Sequence, residues 1–320
     1  NKSGKVVDEI GSYFGMRTVG MKKIDGVMRP TLNGEFVFHL GLLDQGYWPE
    51  SGLTPPSAES LKKDIELAKA VGFNGARKHQ KLEDGYYCYY AEELGFLTWC
   101  EMPSAYRFCT DEVAAITLEW QEIVKEGRNS TSNVCYVPLN ESWGAREIAT
   151  DERQKAFARS LYYLTKTLDP TRLISTNDGF EIVNPTDILG VHDYDSGKED
   201  DFVKYDAEKY DSMHPQGFAL FAEEEHYAGE PVLLTEFGGR ALQSDQKGEA
   251  WGYNVAAANE EEFLKQLASI MNGVYSYGFQ GYCYTQLTDV QQEVNGLLTA
   301  ERKPKAAMEK LKIIFEKTAD

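Results

Sequence analysis

Along the chain, short apolar runs that close on polar or charged residues alternate with longer stretches in which apolar positions recur three and four apart. Eight runs of the first kind stand out: "FVFHLGLLD" (36 to 44), "FNGARKHQ" (73 to 80), "FLTWCEMP" (96 to 103), "CYVPLNES" (135 to 142), "LISTNDG" (173 to 179), "DILGVHDY" (187 to 194), "VLLTEFGG" (232 to 239) and "GFQGYCYTQL" (278 to 287). A buried parallel strand reads this way when its start lies in the core and its C-terminal end opens onto a site. Helical patterns lie between them. In "SAESLKKDIELAKAVG" the residues Leu61, Ile65, Ala68 and Val71 share one helical face, Ser57 is placed to cap the start and Gly72 to end the run. "ERQKAFARSLYYLTKTLDP" stops at Pro170, and "EEFLKQLASIMNGVYSYG" and "KAAMEKLKIIFEKT" complete a helical layer. The alternation predicts an α/β fold, a (β/α)8 TIM barrel with its active-site loops at one end.

Two stretches lie outside this minimal pattern. Residues 195 to 230, rich in Asp, Glu, Lys and Tyr, form a long polar excursion between the sixth and seventh strands, which fits a lid and a solvated loop equally well. Residues 1 to 30, with "SYFGMRTVG", read as strand or hairpin, and the tight "LNGEF" turn leads into a barrel that occupies 31 to 320.

The length of 320 residues suits one such barrel. No run of roughly 18 apolar residues occurs, so no membrane partner is expected. A net charge of -18 opposes nucleic acid as a partner, which needs a basic face. The 19 Tyr, 15 Phe and 5 Trp supply flat faces that pack a core and also stack on the C–H face of a sugar. Cys88, Cys100, Cys109, Cys135 and Cys283 are odd in number and lack a CxxC spacing, which argues against a disulfide framework or zinc knuckle and suits a cytoplasmic location. The chain opens on "NKSGKVVDEI" without an initiator Met and reads as truncated, so a signal peptide upstream stays open.

The sharpest chemical features are two acidic strand ends. Asn140 and Glu141 follow the fourth strand, and Glu236 ends the seventh. On a barrel both carboxyls face the mouth, where a gap near 5 Å is the separation that retaining glycoside hydrolysis uses. One carboxyl must be protonated to release the departing oxygen while the other attacks as a carboxylate, so their environments must separate their proton affinities.

Other strand ends supply helpers. Tyr194 is placed to hold the nucleophile by a hydrogen bond, and Arg77 to favour its charged form. His192, His79, Asn140 and Asp44 are candidates for sugar hydroxyls, Trp48 and Trp143 for stacking, and Tyr284 and Gln286 for the wall formed by the last strand. Asp193, Glu101 and Asp289 occupy further strand ends or the loops after them. No GxGxxG after the first strand, P-loop, HExxH or GxSxG motif is present, so dinucleotide, nucleotide, zincin and serine-hydrolase chemistry have no residues to rest on.

With "SYFGMR" before "LNGEFVF", "LLDQGYWPESG", "DIELAKAVGFNGARKH", "PLNESWG", "LLTEFGG" and "YTQLTDVQQEVNGLLTAERKPK", the chain resembles glycoside hydrolase family 2, the β-galactosidase, β-glucuronidase and β-mannosidase group. The resemblance runs through nearly the whole length. It implies Glu141 as acid/base and Glu236 as nucleophile, supported by Asn140 and Tyr194. It also implies jelly-roll and immunoglobulin-like sandwich domains upstream, with residues 1 to 30 as the linker and tail of that sandwich. "ARKHQK" departs from the Arg-x-Ser-His stretch of galactosidases, and the Asn-x-Lys motif of glucuronidases is missing, with Lys78, Lys81 or Arg240 as substitute cations.

The expectation is therefore a retaining exo-β-glycosidase acting on terminal β-linked sugars, β-galactosides first. The alternatives are a β-glucuronidase or other β-glycosidase of that family, or a catalytically incomplete carbohydrate-binding barrel. Carbohydrate is the expected partner, and a homo-oligomer is compatible with this reading. No organic cofactor is implied; the resemblance admits Mg2+ or Na+, but no motif marks a metal site.

Overall fold

A computed structural model describes residues 4–242 and 250–316. The chain opens with a small antiparallel sheet of β1 (Val19–Ile24), β2 (Val27–Leu32) and β3 (Glu35–Phe36). Its two turns are Asp25-Gly26 and Asn33-Gly34, with φ of 50° and 85° and of 54° and 80°, the left-handed pairs that a two-residue hairpin of matching twist requires. β2 runs across residue 30, where the sequence placed the start of the barrel. Val19 packs against Trp99, Val134 and Cys135, and Arg17 donates to the carbonyls of Thr131 and Asn133, so this sheet closes the end of the barrel opposite the site.

The eight strands follow in chain order: β4 (His39–Asp44), β5 (Gly75–Lys78), β6 (Leu97–Glu101), β7 (Asn133–Val137), β8 (Leu173–Ile174), β9 (Leu189–Asp193), β10 (Val232–Gly238) and β11 (Gly281–Thr285). They form one parallel sheet in the order β8-β7-β6-β5-β4-β11-β10-β9. The sheet curls until its edges meet: Gly179 donates to the carbonyl of Gly190 and His192 to that of Gly179. Seven of the eight strands lie within the segments read from the sequence, and β7 starts two residues before its segment, at Asn133.

Helices cover the outside. α1 (Ala58–Val71) starts on Ser57, whose side chain accepts from the Ser60 amide, and ends on Gly72 at φ 111°. It buries the expected Leu61, Ile65, Ala68 and Val71, together with Asp64. α2 (Gly85–Leu94), α3 (Thr110–Gly127) and α4 (Glu152–Leu168) continue the layer, and Trp120 of α3 donates from its indole to Thr165 of α4 at 2.7 Å. α5 (Glu260–Ser276) and α6 (Met308–Phe315) complete it.

Much of the long polar excursion is packed rather than solvated. Residues 199–217 form three 3-10 turns that bury Phe202, Tyr205, Tyr210, Met213 and Pro215, standing where β9 would otherwise be followed by an α-helix. Phe202 reaches α5 at Gly273, where an added Cβ would come within 2.3 Å of its ring. Its apolar residues are diluted among charges, which hides them from a composition-based reading. Among the described residues, no helix is long and apolar enough to cross a membrane.

Candidate active site

Glu236 sits on β10 where the register with both neighbouring strands shifts, between Leu234 and Glu236 against β9 and between Leu234 and Phe237 against β11. Such an irregularity re-aims a side chain. Thr235 lines the barrel lumen, and Glu236 turns into the mouth beside it, almost fully buried. Arg77 of β5 donates to its Oε1 at 2.7 Å, and the Tyr194 hydroxyl to its Oε2 at 2.7 Å. Thr285 in turn lies 2.8 Å from the Tyr194 oxygen.

Arg77 is the hub of the site. Its Nε pairs with Glu101 at 2.6 Å, its Nη1 with Asp178 at 3.1 Å and with Glu236, and its Nη2 with the Asn140 amide oxygen. Burial alone would weaken its proton affinity, but Glu101, Asp178 and Glu236 raise it well above the ordinary value. His79 reaches Glu101 at 3.2 Å and Glu236 at 3.7 Å.

Glu141 lies four residues beyond β7, in a turn where both it and Ser142 adopt left-handed backbone, φ 51° and 55°. Such conformations cost about 1–3 kcal/mol each and persist where surrounding bonds impose them. Here the Glu141 amide donates to the Asp178 carbonyl, and the Ser142 amide to the Asn177 side chain at 3.0 Å. The Glu141 carboxylate is thereby turned into the mouth, where oxygens of Glu141 and Glu236 and a ring nitrogen of His192 all lie within 4.8 Å of one another.

Both ring nitrogens of His192 face carboxylates, Nδ1 toward Glu141 at 2.8 Å and Nε2 toward Asp178 at 3.1 Å. Burial pushes this imidazole down, but Glu236, Asp178 and Glu141 outweigh it and hold it up at about 10. In its protonated form His192 donates on both sides, to Glu141 and to Asp178. Burial likewise raises the Glu141 carboxyl, yet the His192 hydrogen bond and charge bring it below its usual range. A simple picture with Glu141 as the protonated carboxyl of the ligand-free protein therefore needs amending: the exchangeable proton belongs to the Glu141–His192 pair. Glu141, His192 and Glu236 have metal-ligand types at ligand spacing, but a cation there would have to displace the proton that His192 shares with these carboxylates.

The remaining expected residues divide between mouth and layers. Trp143 is half-buried at the rim, with the Arg146 guanidinium 4.4 Å from its ring centre. Gln286 is buried beside the mouth, accepting from Gln45 at 2.9 Å and donating to Asn295 at 2.7 Å. Three residues are turned away from it. Asp44 pairs with Lys78 at 2.7 Å and faces the helical layer; Lys78 also meets Glu83 at 2.8 Å. Trp48 is only 3% exposed and covered by Lys81 and Arg302, so it presents no platform to a sugar. Tyr284 is fully buried against Phe237 and Phe315. Along β4 and β11 the side chains alternate: His39 and Gly41, like Cys283, line the lumen, which sends Asp44 and Tyr284 outward.

Several residues in the mouth had drawn no attention in the sequence. Asp178 lies near the end of the fifth strand segment, in the polar run "STND", and is fully buried. Tyr253 stacks on Tyr194 with ring centres 3.6 Å apart, and Glu293 and Asn295 arrive from the loop after β11.

No protein-family model matches the sequence, and no curated protein matches it. Solved structures do share the fold. The GH2 β-galacturonidase from Eisenbergiella tayi bound to galacturonate superposes with a TM-score of 0.73 at 20% identity, over 95% of this chain and 55% of that one. The β-glucuronidase from Ruminococcus gnavus in complex with D-glucuronic acid gives 0.73 at 19% identity, over 95% and 52%. Bacteroides uniformis β-glucuronidase 2, covalently bound to cyclophellitol-6-carboxylate aziridine, gives 0.71 at 18% identity, over 92% and 36%. The chain thus spans about half the length of the first two. At these identities the likeness establishes a shared barrel, an α/β fold found in glycoside hydrolases.

Proposed function

We propose that this chain is the catalytic barrel of a retaining β-glycosidase of glycoside hydrolase family 2, with Glu236 as nucleophile and Glu141 as acid/base. The observation that carries the reading is the approach of two carboxylates from opposite parts of the mouth to within 4.8 Å, one of them clamped by Arg77 and Tyr194. Retaining enzymes hold their carboxyl groups about 5–5.5 Å apart, whereas inverting ones leave room for a water between them.

In the first step a Glu236 oxygen attacks the anomeric carbon, the bond to the departing oxygen breaks, and the proton of the Glu141–His192 pair moves to that oxygen. Tyr194 and Arg77 hold Glu236 in line until it attacks. Once Glu236 is esterified its charge is gone. Glu141 then takes a proton from water, the hydroxide attacks the anomeric carbon, and Glu236 leaves as carboxylate.

A terminal β-galactoside is the first substrate to test, and the uronides bound by the structural neighbours are its rivals. Release of nitrophenol from a panel of aryl β-glycosides tests the reading, together with Glu141→Ala. That variant should lose turnover of poor leaving groups and regain turnover of good ones when azide is added. Failure of the whole panel with the folded protein contradicts the proposal.

A further inference from the structure

On the wall of the mouth formed by the loops after β4 and β11, four side chains close a ring of hydrogen bonds. Gln45 donates to Gln286 at 2.9 Å and to Glu293 at 3.1 Å, Gln286 donates to Asn295 at 2.7 Å, and Asn295 donates to Glu293 at 2.9 Å. Every donor in the ring leads toward Glu293. Its carboxylate is therefore oriented by two amides and retains lone pairs with which to accept further hydrogen bonds. Gln286 follows Thr285, the residue that supports Tyr194 on Glu236, so the ring is attached directly to the reacting centre.

Glu293 also lies in the electrostatic field of the site. Burial pushes its carboxyl up, and beyond its two amide partners the charges of His79 and Glu236 act on it. The Tyr253 phenol, raised first by its own burial, feels Glu236, Glu293 and Glu141 together. Tyr253, which stacks on Tyr194 beside Glu236, thus feels three carboxylates at once.

Among the described residues, the cations around the site other than Arg240 and Arg146 are already committed. Arg77 serves Glu101, Asp178 and Glu236; Lys78 serves Asp44 and Glu83; Lys81 serves Glu83 and the carbonyls of Gly46 and Leu53. His79 and His192 face carboxylates as well. Arg240 is buried with an unpartnered Nε, but its guanidinium lies against the loop after β9, where an added Cβ on Gly197 would meet Nη2 at 2.7 Å. Arg146 stands in the turn after β7, four strands from β11 around the ring and therefore on the opposite side of the mouth.

From this arrangement we infer that Glu293, held by Gln45 and Asn295, is a specificity residue that accepts hydrogen bonds from the hydroxyls of an uncharged terminal pyranose and excludes a uronic acid. A sugar hydroxyl has the proton that Glu293 needs, whereas a uronate carboxylate has none and meets a like charge, with no free cation beside Glu293 among the described residues to offset it. The inference rests on the glycosidase reading for its site and goes beyond it in naming the sugar class. It also separates this barrel from the neighbours that bind uronic acids, which share its fold.

The test compares aryl β-galactoside, glucoside and mannoside with the glucuronide and galacturonide. The best neutral sugar should exceed both uronides in kcat/KM by about 100-fold or more, the scale at which an unpaired like charge discriminates. Glu293→Gln should narrow that ratio at least about tenfold by removing the repulsion, a change that mere loss of packing would not produce. Arg240→Ala should leave the ratio unaltered. Uronides turned over as well as neutral sugars, or a uronide activity lost in Arg240→Ala, overturn the inference.

Binding by the wild-type protein separates this claim from hydrolysis. Calorimetry with a neutral iminosugar and with its C6-carboxylate counterpart should show tighter binding of the neutral compound. If that holds while no glycoside is cleaved, the sugar class stands and the hydrolytic reading fails. Equal or tighter binding of the carboxylate, or binding of neither, overturns the inference.

Discussion

His192 and Glu141 share a hydrogen bond of 2.8 Å, and the same ring reaches Asp178 with its other nitrogen at 3.1 Å. One imidazolium thus links the turn after the fourth barrel strand to the end of the fifth, and holds the acid/base carboxylate of the proposed reaction in place.

This arrangement sets a pH dependence of stability. The His192 value is raised from 6.5 in the unfolded chain to about 10 in the folded one. The folded state therefore binds the proton more tightly, and the contribution is fully present below pH 6.5 and is lost as pH rises through about 10. Denaturant midpoints of wild type and His192→Gln should differ most below pH 6.5 and converge toward pH 10. A gap that widens with pH would show that His192 is neutral in the folded protein.

Asp178 stands behind that imidazolium. Asp178→Asn removes a buried charge partner, so the His192 titration followed by NMR should move down by about one unit or more, the shift expected for loss of one close opposite charge. An unchanged midpoint contradicts the linkage.

Arg77 balances Glu101, Asp178 and Glu236 from a position with only 1% side-chain exposure. Arg77→Met leaves buried carboxylates uncompensated, and should cost about 3–5 kcal/mol in chemical denaturation. Arg77→Lys keeps a charge but not the planar fork, so it should retain more stability than Arg77→Met while losing most activity. Equal stability of wild type and Arg77→Met would contradict the role of hub.

Much of this frame was legible in the sequence. The eight strand segments, the Ser57 and Gly72 helix ends and the two glutamates all follow from local pattern, because each depends on residues near in sequence. Strand parity was the weak point. Asp44 and Tyr284 stand at strand ends like the mouth residues, but the two-residue alternation turns them to the outer layer, and their neighbours in sequence do not announce which face is inward. Asp178 and Glu293 were hidden for another reason. They lie in polar runs whose meaning comes only from partners far along the chain, Arg77 and His192 for one, Gln45 for the other.

Tyr194 offers a test of the nucleophile's surroundings that leaves the fold intact. Tyr194→Phe removes the donor to Glu236 while preserving the stack on Tyr253, so kcat should fall about 100-fold with little change in melting temperature. Full activity in Tyr194→Phe would mean that its hydroxyl does not hold Glu236 for attack.

The central claim is a covalent bond from the sugar to Glu236. Incubation with a 2-deoxy-2-fluoro glycosyl fluoride of the preferred sugar, followed by tryptic digestion and mass mapping, tests it most directly. The account predicts one added glycosyl residue on the peptide 210–240, located at Glu236. An adduct on the peptide 129–146 that carries Glu141, or inactivation-free turnover with no adduct, would contradict it.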